Sequence, residues 1–387
     1  MYQGGDCKVI TVVGEFMVQT VFLELLRVSI WGGVARVPDG FKDWGTVFTL
    51  AKKQSVLCLV AHAVLSDPVI GGDLEEDVKT QLKSHVVANM GAHRMLNSSV
   101  VQVVSALDAA GVPSVLLKGQ ALARNYPIPE LRACGDIDIY AGPENYLKAC
   151  EVLGYLATWK EARRPEDNLK HYDIRIGKTP VEIHRYSDVN VSKYYNKIYQ
   201  AYSHEGLSHE LRPMDFLGTN VYTPADDFNA FYIFNHLWHH FLTSGIGLRQ
   251  FCDWMMFLHV RKDEIDRAKL KKIIDDMDMM RPWQTFGCVL VDELGMPEDE
   301  FPFYDSRKRN KVSKVIARVL EEGNFGKERE MYKDRSKEGY FQGKVKSLYL
   351  HFSRSIQLFI MFPSHTLRQF GYTFRRGMMA VWKDKLN

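Results

Sequence analysis

Acidic side chains alternate with apolar ones in two short segments of the chain. The segments are Gly-Asp-Ile-Asp-Ile-Tyr at residues 135–140 and Val-Glu-Ile-His at residues 181–184. Successive side chains of a β-strand point to opposite faces, so Asp136 and Asp138 project together while the isoleucines enter the core. The same alternation puts Glu182 and His184 on one face of the second strand. We therefore expect three carboxylates to converge from two strands.

Three carboxylates in one place repel one another unless a cation lies among them. Oxygen ligands of this kind suit Mg²⁺ or Mn²⁺, and Mg²⁺ is usually held by a few carboxylates together with substrate phosphates. The pattern predicts a Mg²⁺ (or Mn²⁺) site formed by Asp136, Asp138 and Glu182, with phosphoryl or nucleotidyl transfer as its chemistry. An Asp-x-Asp pair can also keep an exposed strand edge soluble, so the pair alone leaves both interpretations open.

A possible phosphate-binding turn precedes the acids. The apolar run at residues 112–117 ends in Lys118-Gly119-Gln120 and continues into Ala-Leu-Ala-Arg, which predicts a strand, a tight turn and a helix. Backbone N–H groups at such a helix start bind phosphate readily, and Lys118 would add a positive charge. Glycine at a turn can also serve only to relieve the backbone. The order of strand, Lys-Gly, helix, Asp-x-Asp strand, helix and Glu strand is more specific than any single part.

These residues together resemble a known family. The pattern is similar to that of the bacterial family called uncharacterised nucleotidyltransferases, within the polymerase-β-like nucleotidyltransferase superfamily. The flanking regions match more loosely than the core. The residues that carry the resemblance are Leu117-Lys118-Gly119, Tyr126-Pro127, Arg132, Asp136, Asp138, Glu182 and His184 in the core, and Asp43-Trp44, Ala51, Gly247-Leu248-Arg249-Gln250 and Asp253-Trp254 in the flanks.

The resemblance implies a reaction and a set of roles. Asp136 and Asp138 match the paired metal-binding acids of the superfamily, and Glu182 matches its third acid. The implied enzyme moves an NMP group from an NTP to an unknown acceptor and releases pyrophosphate. Lys118-Gly119 stands where many superfamily members have Gly-Ser, which leaves the phosphate donor open. A nucleotide-binding module without catalysis is the alternative, and a metal-dependent hydrolase is a weaker one.

The elements that must position these residues can be predicted from periodicity. Helical spacing extends from about residue 9 to residue 107 and returns after residue 190, whereas short strands and helices alternate between about 111 and 186. We predict an α+β fold with a small mixed-sheet nucleotidyltransferase core at residues 109–190. Helical regions at residues 1–108 and 191–387 would flank it. The sheet should be mixed because both a helix and hairpin-length turns separate the acid-bearing strands.

Five residues are predicted to bind the nucleotide. Two histidines are predicted to contact the site residues and not the ligand. Arg132 could contact phosphate or could pin the acidic loop by charge. Arg249 could pair with Asp253, four residues further along a predicted helix, or could face the cleft and contact phosphate. The histidines at residues 236–240 are expected to be structural or to line the cleft. A zinc site is disfavoured because no acid or thiol nearby completes a ligand set. The five nucleotide-binding candidates are Lys118, Gly119, Gln120, Arg132 and Arg249, and the supporting histidines are His184 and His240.

Composition favours a cytoplasmic enzyme. The 387 residues, 46% of them hydrophobic, exceed the usual domain length of about 100 to 200 residues and predict two or three packed units. The six cysteines are dispersed and without zinc spacing, so we expect reduced thiols. The chain begins without a signal-peptide pattern, and no apolar run is long enough for a membrane helix.

The C-terminal segment is strongly basic. Between residues 344 and 387, eight Lys or Arg residues stand against one acid, Asp384. An apolar stripe at helical spacing accompanies them, so this segment could bind an anionic membrane surface or an acidic partner. It could equally dock its stripe on the body of the protein, and we expect no specific nucleic acid. The stripe consists of Leu367, Phe370, Phe374, Met378 and Val381.

Overall fold

A small sheet embedded among helices forms the centre of the fold. The computed structural model of the protein describes residues 5–190, 192–324 and 354–368. The helices before the sheet are α1 (Gly5–Trp31), α2 (Trp44–Lys53), α3 (Leu57–Ser66), α4 (Pro68–Asp73) and α5 (Glu76–Ala109). The helices between strands of the sheet along the chain are α6 (Gln120–Ala123) and α7 (Gly142–Leu156). The helices that follow are α8 (Lys193–Gly206), α9 (Asp226–Leu242), α10 (Leu248–Val260), α11 (Arg267–Asp276), α12 (Met280–Leu294) and α13 (Val312–Glu322). Residues 354–361 and 363–368 are also helical.

The central sheet is mixed, as predicted. Its spatial order is β1-β2-β5-β4-β3. Strands β2 and β5 are parallel, and the other neighbours are antiparallel. The parallel pair puts the two acid-bearing strands side by side. The strands are β1 (Val115–Leu116), β2 (Ile137–Tyr140), β3 (Trp159–Lys160), β4 (His171–Ile176) and β5 (Thr179–His184).

A tight hairpin sets the register of the acid-bearing strand β5. Ile176 pairs with Thr179, so β4 and β5 are joined by Gly177 and Lys178 alone. Gly177 has a φ of +59°, which glycine adopts without steric cost. This turn places Asp173 opposite Glu182 and therefore adds a fourth carboxylate to the same face of the sheet.

A second, two-stranded sheet interrupts the region that we expected to be helical after residue 190. It consists of β6 (Arg212–Phe216) and β7 (Thr219–Thr223), and it corrects that expectation. The turn residues Leu217 and Gly218 both have positive φ, which suits a two-residue hairpin. Phe216 and Val221 are buried in the same hydrophobic cluster as the central sheet. Their alternation with polar neighbours was the available signal.

Two hydrophobic cores support the fold. The larger core combines helices that precede the sheet along the chain with helices that follow it. This core is rich in aromatic rings; the ring of Trp254 lies 5.0 Å from that of Phe234 and 4.8 Å from that of Trp283. The smaller core packs the apolar face of the sheet against α5 and α7. Helix α5 contributes Leu82 to the first core and Leu107 to the second. The two helical regions thus share one core, while the domain boundaries at residues 108 and 190 stay predictions.

The basic C-terminal stripe lies mostly outside the described residues. Of its five members only Leu367 is described, and this side chain is 60% exposed. Arg368 forms an ion pair with Asp278, and an Arg354 nitrogen donates to the carbonyl of Phe241 at 2.7 Å. Among the helices of the described ranges, none combines the length and the apolar character that crossing a membrane requires.

Candidate active site

Two of the predicted carboxylates meet at one histidine. Asp138 and Glu182 are directly paired in the parallel register of β2 and β5. His184 Nε2 lies 3.0 Å from Asp138 Oδ1 and 3.2 Å from Glu182 Oε2. The hydrogen bonds to these carboxylates raise the pKa of His184, although burial alone would lower it. The structure therefore brings Asp138 and Glu182 together with the His184 imidazole between them.

Lys118 supplies a positive charge to Asp138. Its Nζ lies 3.1 Å from Asp138 Oδ1, and the lysine side chain is mostly buried. Burial would raise the pKa of Asp138, but Lys118 and His184 outweigh it and hold this pKa well below its ordinary value. Asp138 is consequently ionised in the folded protein.

Among the described residues, Asp136 forms no ion pair like that of Asp138 with Lys118. Repulsion by Asp138, followed by burial, raises the pKa of Asp136 above its ordinary value, and Lys118 only partly opposes this effect. In a strand, residues two apart share a face, so Asp136 and Asp138 lie close together. Asp138 and burial thus both disfavour the charged form of the Asp136 carboxyl group.

The turn beside Lys118 requires glycine. Gly119 has a φ of +55°, and a Cβ atom at this position would lie 3.1 Å from the carbonyl oxygen of Asp136. The turn is therefore packed directly against the backbone of the acid-bearing segment. The prediction that Gln120 contacts the nucleotide is not supported, because its side chain points to α5 and donates to Asn97 Oδ1 at 2.6 Å and to the His93 carbonyl at 3.2 Å.

A cavity of about 510 Å³ covers this face of the sheet. Its sheet wall comes from the turn and the strands, and its helical wall comes from α9 and α10. The principal residues of the sheet wall are Lys118, Gly119, Asp136, Asp138, Trp159, Asp173, Arg175, Pro180 and Glu182. The helical wall comprises Ile233, His236, Arg249, Gln250 and Asp253, and Arg132 and Asn324 also line the cavity.

Arg132 is tied to the helical wall. Its Nε and Nη2 donate to the two oxygens of Asp253 at 2.9 and 2.7 Å, and the Tyr126 hydroxyl donates to the same carboxylate at 2.8 Å. Both partners of this ion pair are almost completely buried. The charge of Arg132 is thus satisfied by Asp253, which makes the arginine a tether between the loop before Asp136 and α10. This geometry favours the pinning role over a phosphate contact, with Asp253 rather than the acidic loop as the partner.

Among the described residues, no acid pairs with Arg249. The alternative ion pair with Asp253 is not formed in the described residues, because Arg132 occupies that carboxylate. Arg249 Nη1 donates to the carbonyl of Ala133 at 2.8 Å, while its buried Nε has no hydrogen-bond partner there. Burial and the nearby Arg132 lower the pKa of Arg249, because both disfavour the charged form. A guanidinium in this environment is prepared to bind an anion.

The histidine cluster on α9 places one ring on the cavity and another behind it. His236 lines the cavity, whereas His240 lies one turn further along α9. The His240 ring is 4.5 Å from the His236 ring, and its Nδ1 is 2.6 Å from Ser244 Oγ. Burial lowers the pKa of His240 to about 3, so this ring is neutral. His240 therefore packs against His236, and its role in supporting the site stays a prediction.

Strand β4 adds polar residues that the sequence analysis missed. His171 and Asp173 lie opposite His184 and Glu182 in the antiparallel pair of β4 and β5. Ligand atoms of His171, Glu182 and His184 lie within 4.8 Å of one another, close enough to share a metal ion. The alternation of His171, Asp173 and Arg175 with apolar residues, followed by a two-residue turn, was the available signal.

The donors in the cavity fit a hard divalent cation. Asp136, Asp138 and Glu182 supply carboxylate oxygens from one face of the sheet, and repulsion by Asp138, followed by burial, raises the pKa of Asp136. Glu182 also belongs to the group with His171 and His184, whose imidazole nitrogens suit softer metals. The oxygen-rich set matches Mg²⁺ or Mn²⁺ better than zinc.

Comparison with known proteins agrees with this chemistry. The model of the family described as uncharacterised nucleotidyltransferase matches residues 41–293. No curated protein matches the chain significantly. Among solved structures, the chain is similar to an antigenic nucleotidyltransferase-like protein from Paracoccidioides brasiliensis, with 12% sequence identity and a TM-score of 0.29. That likeness covers 57% of this chain and 96% of the other. Because the TM-score is low, the assignment rests on the family model alone.

Proposed function

Because the chain belongs to the family of uncharacterised nucleotidyltransferases, we propose that its cavity transfers an NMP group from an NTP to an acceptor and releases pyrophosphate. One observation carries the proposal. The same cavity contains a carboxylate cluster on its sheet wall and, in Arg249 of its helical wall, a guanidinium without an acidic partner in the described residues. A metal-bound triphosphate is a ligand that satisfies both sets of charges.

The carboxylates would hold the metal. Asp136, Asp138 and Glu182 are the proposed ligands of Mg²⁺ or Mn²⁺. When bound, such a cation supplies neutralisation of phosphate charge and lowers the pKa of the attacking group. His184 donates a hydrogen bond between Asp138 and Glu182 and so fixes the orientation of both side chains.

Cationic residues would position the phosphates. Lys118 and Arg249 are the proposed phosphate contacts, and the backbone of the Gly119 turn lies beside them on the cavity. Phosphoryl-type reactions depend mainly on positioning and on electrostatic stabilisation, since the protein performs little covalent chemistry itself. The buried pair of Arg132 and Asp253 would keep the helical wall in place while the ligand binds.

Metal-dependent NTP binding tests the proposal first. Isothermal titration with each of the four NTPs and Mg²⁺ should detect binding to the wild-type protein. Asp136→Asn and Asp138→Asn should abolish the Mg²⁺-dependent part of the affinity, because the amides are neutral. Asp167→Asn, at an exposed acid outside the cavity, is the matched control and should bind like wild type. Equal Mg²⁺-dependent affinity in all three variants would refute the assigned metal ligands.

Turnover is tested with α-³²P-labelled NTPs, Mg²⁺ or Mn²⁺, and mixtures of candidate small-molecule and protein acceptors. We expect label on an acceptor together with stoichiometric pyrophosphate, and a decrease of at least about 1000-fold in Asp138→Asn, since a metal contributes several kcal/mol to such reactions. Release of labelled NMP with water alone would identify a hydrolase. Binding without release would identify a nucleotide-binding module, and either result would refute the transferase.

A further inference from the structure

A row of side chains crosses the sheet wall from the carboxylates to the edge strand. Trp159 of β3 is paired with Arg175 of β4, and Arg175 is paired with Pro180 of β5. Asp136 directly precedes Ile137, which is paired with Val181, so the register continues from Pro180 to Asp136. Paired residues of neighbouring strands point to the same face. All four residues of the row line the cavity.

Trp159 is an exposed aromatic residue at the far end of this row. Its side chain is 50% exposed, although tryptophan normally contributes to stability by burying a large area. The Arg175 guanidinium lies 5.8 Å from the centre of the indole ring. Throughout the part of the chain that the structure describes, no hydrogen bond or ion pair to either side chain is found. Their polar groups and the open indole surface are thus accessible to a ligand of the cavity.

We propose that Trp159, accompanied by Arg175, is a stacking platform for the nucleobase of the bound NTP. The inference rests on the proposed function and adds the part of the site that holds the base. Three strand spacings separate β2 from β3, or about 14 Å. An extended nucleoside triphosphate spans this distance when its phosphates lie near Lys118 and Arg249.

The chemistry of the platform also predicts a substrate preference. Stacking on an aromatic ring accepts every base, because every base has a π-face, and the contact grows with ring area. We therefore expect purine nucleoside triphosphates to bind more tightly than pyrimidine ones. A nearby guanidinium strengthens such stacking through a cation–π contribution.

Binding measurements with and without a base test the platform. Isothermal titration with Mg²⁺ compares ATP with ribose 5-triphosphate, which has the same phosphates and no base. Trp159→Ala should weaken ATP binding at least about fivefold, the lower end of the range for losing one stacked base. Its affinity for ribose 5-triphosphate should not change. Trp159→Phe keeps an aromatic ring and should retain most of the affinity for ATP.

Tyr155→Ala is the matched control, because Tyr155 is an aromatic residue of α7 that is 82% exposed and lies outside the cavity. An unchanged ATP affinity in Trp159→Ala, or an equal loss for ATP and ribose 5-triphosphate, would overturn the platform while wild-type binding of ATP still supports the proposed function. If the wild-type protein binds neither ligand with Mg²⁺, the proposed function fails and the platform fails with it.

Discussion

Two arginines line the same cavity, but they differ in whether an acid of the described residues pairs with them. Arg132 donates two hydrogen bonds to Asp253 in a buried ion pair. Arg249 lies four residues before Asp253 on α10; among the described residues its side chain donates a hydrogen bond only to the carbonyl of Ala133 and has no acidic partner. A buried charge that is paired contributes to the fold, whereas a buried charge without a partner costs stability and binds an anion well. From this comparison we expect Arg132 to stabilise the fold and Arg249 to bind the ligand.

Removal of Arg132 should have the largest effect on the fold. Arg132→Met leaves the buried Asp253 carboxylate without its cation, so we expect the free energy of unfolding to fall by about 3 to 5 kcal/mol. Chemical denaturation measures this loss. Arg164→Met removes an exposed ion pair with Asp167 and should change stability by no more than about 1 kcal/mol. Full stability in Arg132→Met, combined with lost NTP binding, would reverse the roles of the two arginines.

Removal of Arg249 should act on the ligand instead. Arg249→Met deletes a buried guanidinium that pairs with no acid among the described residues, so the free energy of unfolding should stay the same or rise. Affinity for the NTP should fall about 10- to 100-fold, as expected for the loss of a charge-assisted hydrogen bond. Isothermal titration and denaturation of the same preparation separate the two quantities. Unchanged affinity would contradict a phosphate contact by Arg249.

A smaller effect, dependent on pH, is expected at His184. Asp138 and Glu182 raise its pKa in the folded state above the ordinary 6.5, so its stabilising contribution is complete below pH 6.5 and is lost as the pH rises through the folded pKa. In Mg²⁺-free buffer, the stability difference between wild type and His184→Gln should therefore be largest at acidic pH and shrink towards alkaline pH. His209→Gln, at an exposed position, is the control. A difference that is independent of pH would exclude a charged His184.

The sequence was sufficient to predict the mixed sheet and the meeting of Asp138 with Glu182. The mixed sheet follows from the helix and the hairpin-length turns between the strands. The shared face of the acids follows from two-residue alternation, which is a local property of each strand. The partner of Arg132 could not be predicted, because Asp253 lies far along the chain and on another element. The partner of Gln120 could not be predicted for a related reason, since the short helix α6 turns this side chain towards α5. Local patterns show which face a residue occupies, but long-range packing selects its partner.

Helix α5 connects the unfolding of the two hydrophobic cores, because it contributes residues to both. Its 34 residues form a rod of about 50 Å, with one part buried in the aromatic helical core and the other under the sheet. Melting either core would remove one anchor of this rod and weaken its hold on the other. We therefore expect the protein to unfold cooperatively, so that the cavity is lost as a unit and not residue by residue.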